Sequence, residues 1–149
     1  MANTTLSSLG GKIWVDGYSG ETIITLKADG TCKAGWIVGQ ASGNGTARGV
    51  DTDGNLDELD GIALPRYDTD LDTAFTSGDL ISVVIPISGK TYRVKMTDAG
   101  GSLYAGEPMV LTTVAGEVAA GADIEAVHIG RLRKSIVDDD TWCELVWGA

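Results

Sequence analysis

The side chains with reactive or metal-binding chemistry are few and scattered. His128 is the one histidine, set in the apolar run Ala126-Val127-His128-Ile129. A lone imidazole among aliphatic neighbours is expected to be a structural residue with its ring nitrogens satisfied, since acid–base catalysis needs a second group to support it. The chain has no Gly-x-Ser-x-Gly elbow, phosphate loop or His-x-x-x-His pair. No catalytic residue is assigned, and the expectation is a protein that is not an enzyme. Cys32 and Cys143 are the only cysteines, too few for a disulfide framework. Two buried free thiols are expected, with a single bridge between the N-terminal hairpin and the last strand as the alternative.

One loop has the composition of a cation site. In Asp51-Thr52-Asp53-Gly54-Asn55-Leu56-Asp57-Glu58-Leu59-Asp60 the alternating oxygens of Asp51, Asp53, Asn55 and Asp57 can converge on Ca²⁺ around a glycine bend. Glycine stands at the fourth position instead of the sixth, however, and Ile62 occupies the twelfth, where a bidentate Glu closes the shell. A solvated acidic loop is therefore the plainer reading, and no metal or cofactor is assigned. Asp68, Asp70 and Asp72 lack even the glycine and are read as a solvated rim. Trp14, Trp36, Trp142 and Trp147 can stack on sugars if exposed, but each falls in an expected strand, where burial is the usual fate. Asn3-Thr4-Thr5 and Asn44-Gly45-Thr46 match the glycosylation pattern without a secretory signal to give it meaning.

These groups must be carried by β structure. Among 149 residues there are 21 glycines, 43% hydrophobic and 21% charged residues, a balance that indicates one turn-rich, all-β domain with a sizeable core. The formal charge of −10 repels phosphate backbones and anionic lipid, so neither nucleic acid nor a membrane is an expected partner. No apolar run approaches the roughly 20 residues of a bilayer span. The start MANTTLSSLGG lacks the pattern of a signal peptide, so a soluble, unexported chain is expected.

Residues 1–11 offer only Leu6 and Leu9 for burial and read as a flexible arm before a single domain over 12–149. Short strands are expected at Ile13–Val15 and Thr22–Leu26. Asp29-Gly30 then suggests a hairpin to Thr31-Cys32-Lys33, completing a leader over 12–33. Trp36–Val38 follows, then a loop or frayed strand from Gly39 to Gly54. The stretch Gly61 to Pro86 contains two strand-like runs, Gly61–Leu64 and Leu80–Ile85, around an acidic connection. Ile62, Leu64, Ile81, Val83 and Ile85 are the expected core of that unit. Thr91–Met96 alternates as a half-buried strand. Further strands are expected at Gly106–Leu111, Ala115–Val118, Val127–Leu132 and Trp142–Trp147, with about a helical turn within Ala119–Val127 weakened by Gly121.

A faint echo links the halves. Ala34-Gly35-Trp36-Ile37-Val38, Asp53–Leu56, Gly61–Leu64, Asp70–Asp72 and Ile81–Ile85 recur loosely as Ala105–Leu111, Ala115–Val118, Ile129–Leu132, Asp138–Asp140 and Trp142–Trp147. Spacings differ, so both a duplication and the general likeness of β hairpins account for it.

The order Gly61-Ile62-Ala63-Leu64, acidic connection, Thr73-Ala74-Phe75-Thr76-Ser77-Gly78-Asp79-Leu80 and β-branched strand resembles the capsid decoration, or cement, proteins of tailed phages and related viruses. Ala105-Gly106-Glu107-Pro108-Met109-Val110, Gly116-Glu117-Val118, the Ile129–Leu132 run and Cys143–Trp147 fit the same layout, so the resemblance covers residues 34–149. It implies a small β-barrel or β-tulip body that trimerises on the capsid exterior and stabilises contacts between major capsid subunits, without catalytic residues or cofactor. The arm then supplies a capsid-binding strand through Ala2, Asn3, Thr4, Thr5, Leu6 and Leu9. From a different class, the four tryptophans and the 51–60 loop suggest a carbohydrate-binding or adhesive β-sandwich module, calcium-dependent in one form. A β-rich accessory subunit of a hydrolase is a third reading.

Overall fold

β-Branched and aliphatic runs interrupted by glycine turns build the whole molecule. The computed structural model describes residues 13–29, 32–40, 46–49, 59–66, 71–97, 101–112, 114–121, 128–137 and 140–149, which carry ten strands and no helix. The first five are β1 (Ile23–Ala28), β2 (Ile37–Gln40), β3 (Thr46–Gly49), β4 (Leu59–Ala63) and β5 (Leu80–Val84). They close into a barrel in the order β1-β3-β2-β4-β5, with β5 antiparallel to β1 from Ile23↔Val84 to Lys27↔Leu80. Its one parallel contact joins β1 to β3 through Lys27↔Thr46 and Ala28↔Ala47. The second five are β6 (Thr91–Lys95), β7 (Pro108–Leu111), β8 (Val118–Ala120), β9 (His128–Leu132) and β10 (Trp142–Trp147), in the sheet order β6-β10-β9-β7-β8. The expected all-β body with a β-barrel is what the chain forms.

The two sets are copies of one unit, and their registers match pair by pair. Val38↔Gly49 between β2 and β3 corresponds to Met109↔Ala120 between β7 and β8. Ile37↔Ile62 corresponds to Pro108↔Arg131, and both ladders then shift register, at Val38/Gly39 and at Met109/Val110. Ile62↔Val84 corresponds to Arg131↔Val146, and Lys27↔Leu80 to Lys95↔Trp142. Met96, just past β6, even meets Val118 in a parallel bridge where Ala28 meets Ala47. Gly35 and Gly106, at φ 86° and 93°, donate their N–H groups to Ala63 and Leu132. A shared bulge, a shared crossover and equal registers do not arise from the general likeness of hairpins, so the echo is a duplication.

The structure also corrects its limits. The first copy begins at β1, not at Ala34, and Gly61 aligns with Gly130 instead of Ile129. Glu117-Val118 aligns with Thr46-Ala47, which makes Thr46–Gly49 a short strand inside the stretch read as loop or frayed strand. Residues 30 and 31 of the Asp29-Gly30 turn lie outside the described residues, but the runs it was expected to join take other partners: β1 pairs with β5 and β3, while Lys33 bridges to Ala74. Leu26 and Ala28 face the barrel core, and burying them through long-range pairing outweighs the local turn signal. Ala119 and Ala120 extend β8 instead of starting a helical turn, and residues 122–127 lie outside the described set.

Side-chain volume separates the copies. Leu26, Ala28, Val38, Ala47, Ala63, Ile81 and Val83 fill the barrel with help from Cys32, Ala34 and Phe75. At the matching places the second copy has Val94, Met96, Met109, Val118, Leu132, Cys143 and Leu145. Three alanines leave a lumen that five strands close around, whereas Met96, Val118 and Leu132 need more room at interior packing density. The second sheet accordingly stays parted except at Met96↔Val118. Its core takes in Ile37, Ile62 and Val84, which point outward from the first barrel, together with Ile13. Burial on both faces explains the adjacent buried pairs Ile62-Ala63 of β4 and Val83-Val84 of β5. Ile62, Leu64, Ile81 and Val83 are buried as expected, but Ile85 lies past the end of β5 and is 38% exposed.

Candidate functional site

The N-terminal segment fastens the copies together through one buried carboxylate. Ile13–Val15 runs beside β6: Arg93 N–H donates to the Ile13 carbonyl at 2.8 Å and Val15 N–H to the Thr91 carbonyl at 3.3 Å. A turn at Gly17–Gly20 then brings Glu21 back to this strand with 2% of its surface exposed. Its carboxylate accepts from the Trp14 indole, from Ser19 N–H at 2.7 Å and from the Tyr92 hydroxyl at 3.0 Å, and that hydroxyl accepts from Ile87 N–H at 2.9 Å. Burial works against the charge, but hydrogen bonds from Ser19, Glu21's own N–H, Tyr92 and Trp14 outweigh it and hold the carboxyl below its usual range. Burial, together with the charge of Glu21, pushes the Tyr92 hydroxyl up to about 12. Sequence reading missed this network, because its side-chain donors stand seven and seventy-one residues away and no local pattern marks them.

A second polar cluster crosses from one copy to the other. Asp72 takes a left-handed backbone conformation at φ 64°, which Asp tolerates, and accepts from Trp36 Nε1 at 3.1 Å and Lys95 Nζ at 3.4 Å. Lys33 lies 5.3 Å over Trp36, and Lys95 lies 5.2 Å over Trp142. Asp72 is exposed, as a rim residue should be, but it is paired and bridges the copies instead of standing free in solvent. Asp68 and Asp70 lie outside the described residues.

The other expected sites separate in the same way. Ala2, Asn3, Thr4, Thr5, Leu6 and Leu9 of the arm and Asp51, Asp53, Asn55 and Asp57 of the acidic loop lie outside the described residues. Among the described residues no group of three or more His, Cys, Asp and Glu side chains is placed to hold a metal ion. His128 sits at the exposed start of β9, not in an apolar core, with Nε2 2.5 Å from the Ala149 backbone oxygen. The four tryptophans are half-buried: Trp36 lies against Gly116 and Gly49, Trp142 against Gly35, and Trp14 meets Tyr18 edge-on. These contacts, with Lys33 over Trp36 and Lys95 over Trp142, engage the rings of Trp14, Trp36 and Trp142 within the chain.

Cys32 and Cys143 are both free and buried. Burial, reinforced by Asp29 near Cys32 and Glu144 near Cys143, pushes each thiol up to about 12. The alternative bridge is thereby corrected: the thiols belong to different cores, one in each copy. Native protein is expected to resist iodoacetamide at pH 8 and to take up two equivalents once denatured, read by mass spectrometry. Rapid native labelling would contradict this burial.

What the described surface offers is contact area. Ile23, Leu80, Ile85 and Ile87 expose 44%, 64%, 38% and 41% of their surface on the β1–β5 side of the barrel and its continuation. On the second copy a cleft of about 300 Å³ lies among Arg93, Lys134, Ser135, Asp140, Trp142 and Glu144. Its charges are internally matched, with Lys134 3.0 Å from Glu144 and Arg93 directly opposite Glu144 across the strands.

Fold and surface thus define a protein of two tandem five-stranded β units, one closed into a barrel. No protein-family model matches the chain, and no curated protein is similar to it. Among solved structures the chain is similar to the head fiber gp8.5 N base of bacteriophage phi29, with a TM-score of 0.56 and 14% identity over 85% of this chain and 93% of that chain. The likeness is one of fold.

Proposed function

We propose that this protein is a structural component of a phage virion. It attaches to the outer surface of the capsid as a homotrimer and stabilises contacts between major capsid subunits. One observation carries the reading: its fold is shared, over 85% of this chain and 93% of that chain, with the head fiber gp8.5 N base of bacteriophage phi29. The strand pattern from Gly61 to Pro86 and the layout from Ala105 to Trp147, which resemble decoration proteins, support the same class. A net charge of −10 suits a partner other than nucleic acid or anionic lipid. In this reading the protein is not an enzyme, and its work is done by surfaces that two rigid β units hold in place. The arm at Ala2–Leu9 and the exposed β1–β5 side are the candidate contacts with the capsid.

The test is reconstitution. Purified protein added to empty expanded capsids of its own virus is expected to co-sediment with them and raise the temperature at which they rupture. Unbound protein and an unchanged rupture temperature would reject the proposal.

A further inference from the structure

The two copies differ at one strand edge. In the second copy Ile13–Val15 covers the edge of β6, with Trp14 opposite Tyr92, Arg93 N–H bonded to Ile13 and the Thr91 carbonyl bonded to Val15. Register assigns Ile23, Ile24 and Thr25 of β1 as the counterparts of Thr91, Tyr92 and Arg93. Along β1 alternate residues serve β5: Ile85 N–H donates to the Thr22 carbonyl at 2.9 Å and Ala28 N–H to the Asp79 carbonyl at 2.8 Å. Ile23, Thr25 and Lys27 therefore turn their backbone groups the other way. Lys27 reaches β3, but among the described residues nothing pairs with the Ile23 carbonyl or the Thr25 N–H. Burial agrees with this. Thr91 and Tyr92 are 4% and 0% exposed beneath their added strand, whereas Ile23 is 44% exposed and Ile24 half-buried.

We propose that the β1 edge at Ile23–Thr25 accepts an extended strand from the capsid partner, laid antiparallel to β1 as Ile13–Val15 lies on β6. This rests on the capsid-binding reading above. Main-chain bonds to the Ile23 carbonyl and Thr25 N–H supply affinity, and an apolar side chain opposite Ile24, in the place Trp14 takes opposite Tyr92, supplies register. An acidic strand is disfavoured by a chain of charge −10. Ile13–Val15 is committed to β6 and does not fill the β1 edge, and a Thr25 amide protected in free protein is the outcome that would place another segment of the same chain there. Pairing of β1 with β1 of a second copy makes a two-fold dimer, which is the competing outcome.

Thr25→Pro removes the outward N–H and no bond to β5, and its fixed φ is one that a strand edge accommodates, while Thr25→Ser keeps the N–H. With the full chain and empty capsids, Thr25→Pro is expected to bind about tenfold more weakly and Thr25→Ser as wild type. Amide hydrogen exchange on the wild type gives a readout independent of any variant's folding. Thr25 is expected to exchange freely in the unbound protein and slowly on capsids, with Arg93 protected in both. A Thr25 amide already protected in free protein overturns the inference, as does equal binding by Thr25→Pro with no added protection. A dimer that Thr25→Pro dissolves overturns it in favour of self-pairing. Wild-type protein that binds no capsid overturns the reading beneath it, whereas capsid binding without a role for Thr25 overturns this inference alone.

Discussion

Replacing Gly61 or Gly130 with alanine is expected to destabilise the fold by about 3 kcal/mol each, lowering the melting temperature by roughly 10 °C. At Gly61 an added Cβ falls 1.9 Å from the Val84 carbonyl oxygen, and at Gly130 2.1 Å from that of Val146. Backbone atoms of a paired strand cannot rotate aside, so either β4 leaves β5, and β9 leaves β10, or the carbonyl gives up its bond. The two positions are equivalent in the duplicated unit, which makes similar losses the expected pattern. Gly101→Ala, where a Cβ meets nothing within 4 Å, serves as the control and is expected to leave stability unchanged. Thermal unfolding followed by circular dichroism reads all three, and unaltered melting of both strand variants would contradict the close approach.

Glu21→Ala is expected to have the other large effect, a loss of about 3 kcal/mol. It leaves the buried Tyr92 hydroxyl and the half-buried Trp14 indole without their acceptor, at about 1–3 kcal/mol for a fully buried donor, while the exposed Ser19 N–H turns to water. Ionisation adds a pH dependence whose sign is fixed by the lowered carboxyl. A group held below its free value of 4.5 stabilises the folded state at higher pH and loses that contribution as pH falls through its folded value. Glu21→Gln keeps the shape but cannot ionise. Its melting temperature is therefore expected below that of the wild type at pH 7, with the gap narrowing under pH 4.5. A gap independent of pH would show that the charge carries no part of the network's stability.

Both effects turn on contacts that the sequence expresses unevenly. The strands at Leu80–Val84, Thr91–Lys95 and Trp142–Trp147 were legible because β-branched or alternating residues stand between Gly, Asp and Pro breaks. Thr46–Gly49 was legible only as loop or frayed strand, since Thr-Ala-Arg-Gly carries no apolar run and pairs because Ala47 fits a narrow barrel between β1 and β2. The duplication showed only faintly: identity survives at Gly35/Gly106 and Gly61/Gly130, where a turn or a close carbonyl demands glycine, and fades where Ala63 answers Leu132. Asp29-Gly30 misled because a local turn signal carries no information about which distant strand claims Leu26 and Ala28. On the surface, the open edge of β1 is invisible in sequence. It appears where Ile23–Thr25, the counterpart of Thr91–Arg93, has no neighbour on that side among the described residues.

Duplication followed by divergence of the lumen also bears on the function. A barrel closed on three alanines and a sheet held open by larger residues are two similar halves with core side chains shared at their junction. Such an arrangement presents strand edges and faces side by side, which the proposed clamp between shell subunits would use.

Electron cryo-microscopy of the virion tests the central claim most directly. The account predicts density for a five-stranded barrel joined to an open five-stranded sheet, in three-fold groups on the outer surface of the capsid and touching more than one major capsid subunit. Virions whose outer surface lacks this density, from cells in which the protein is made and remains free in the lysate, would contradict it.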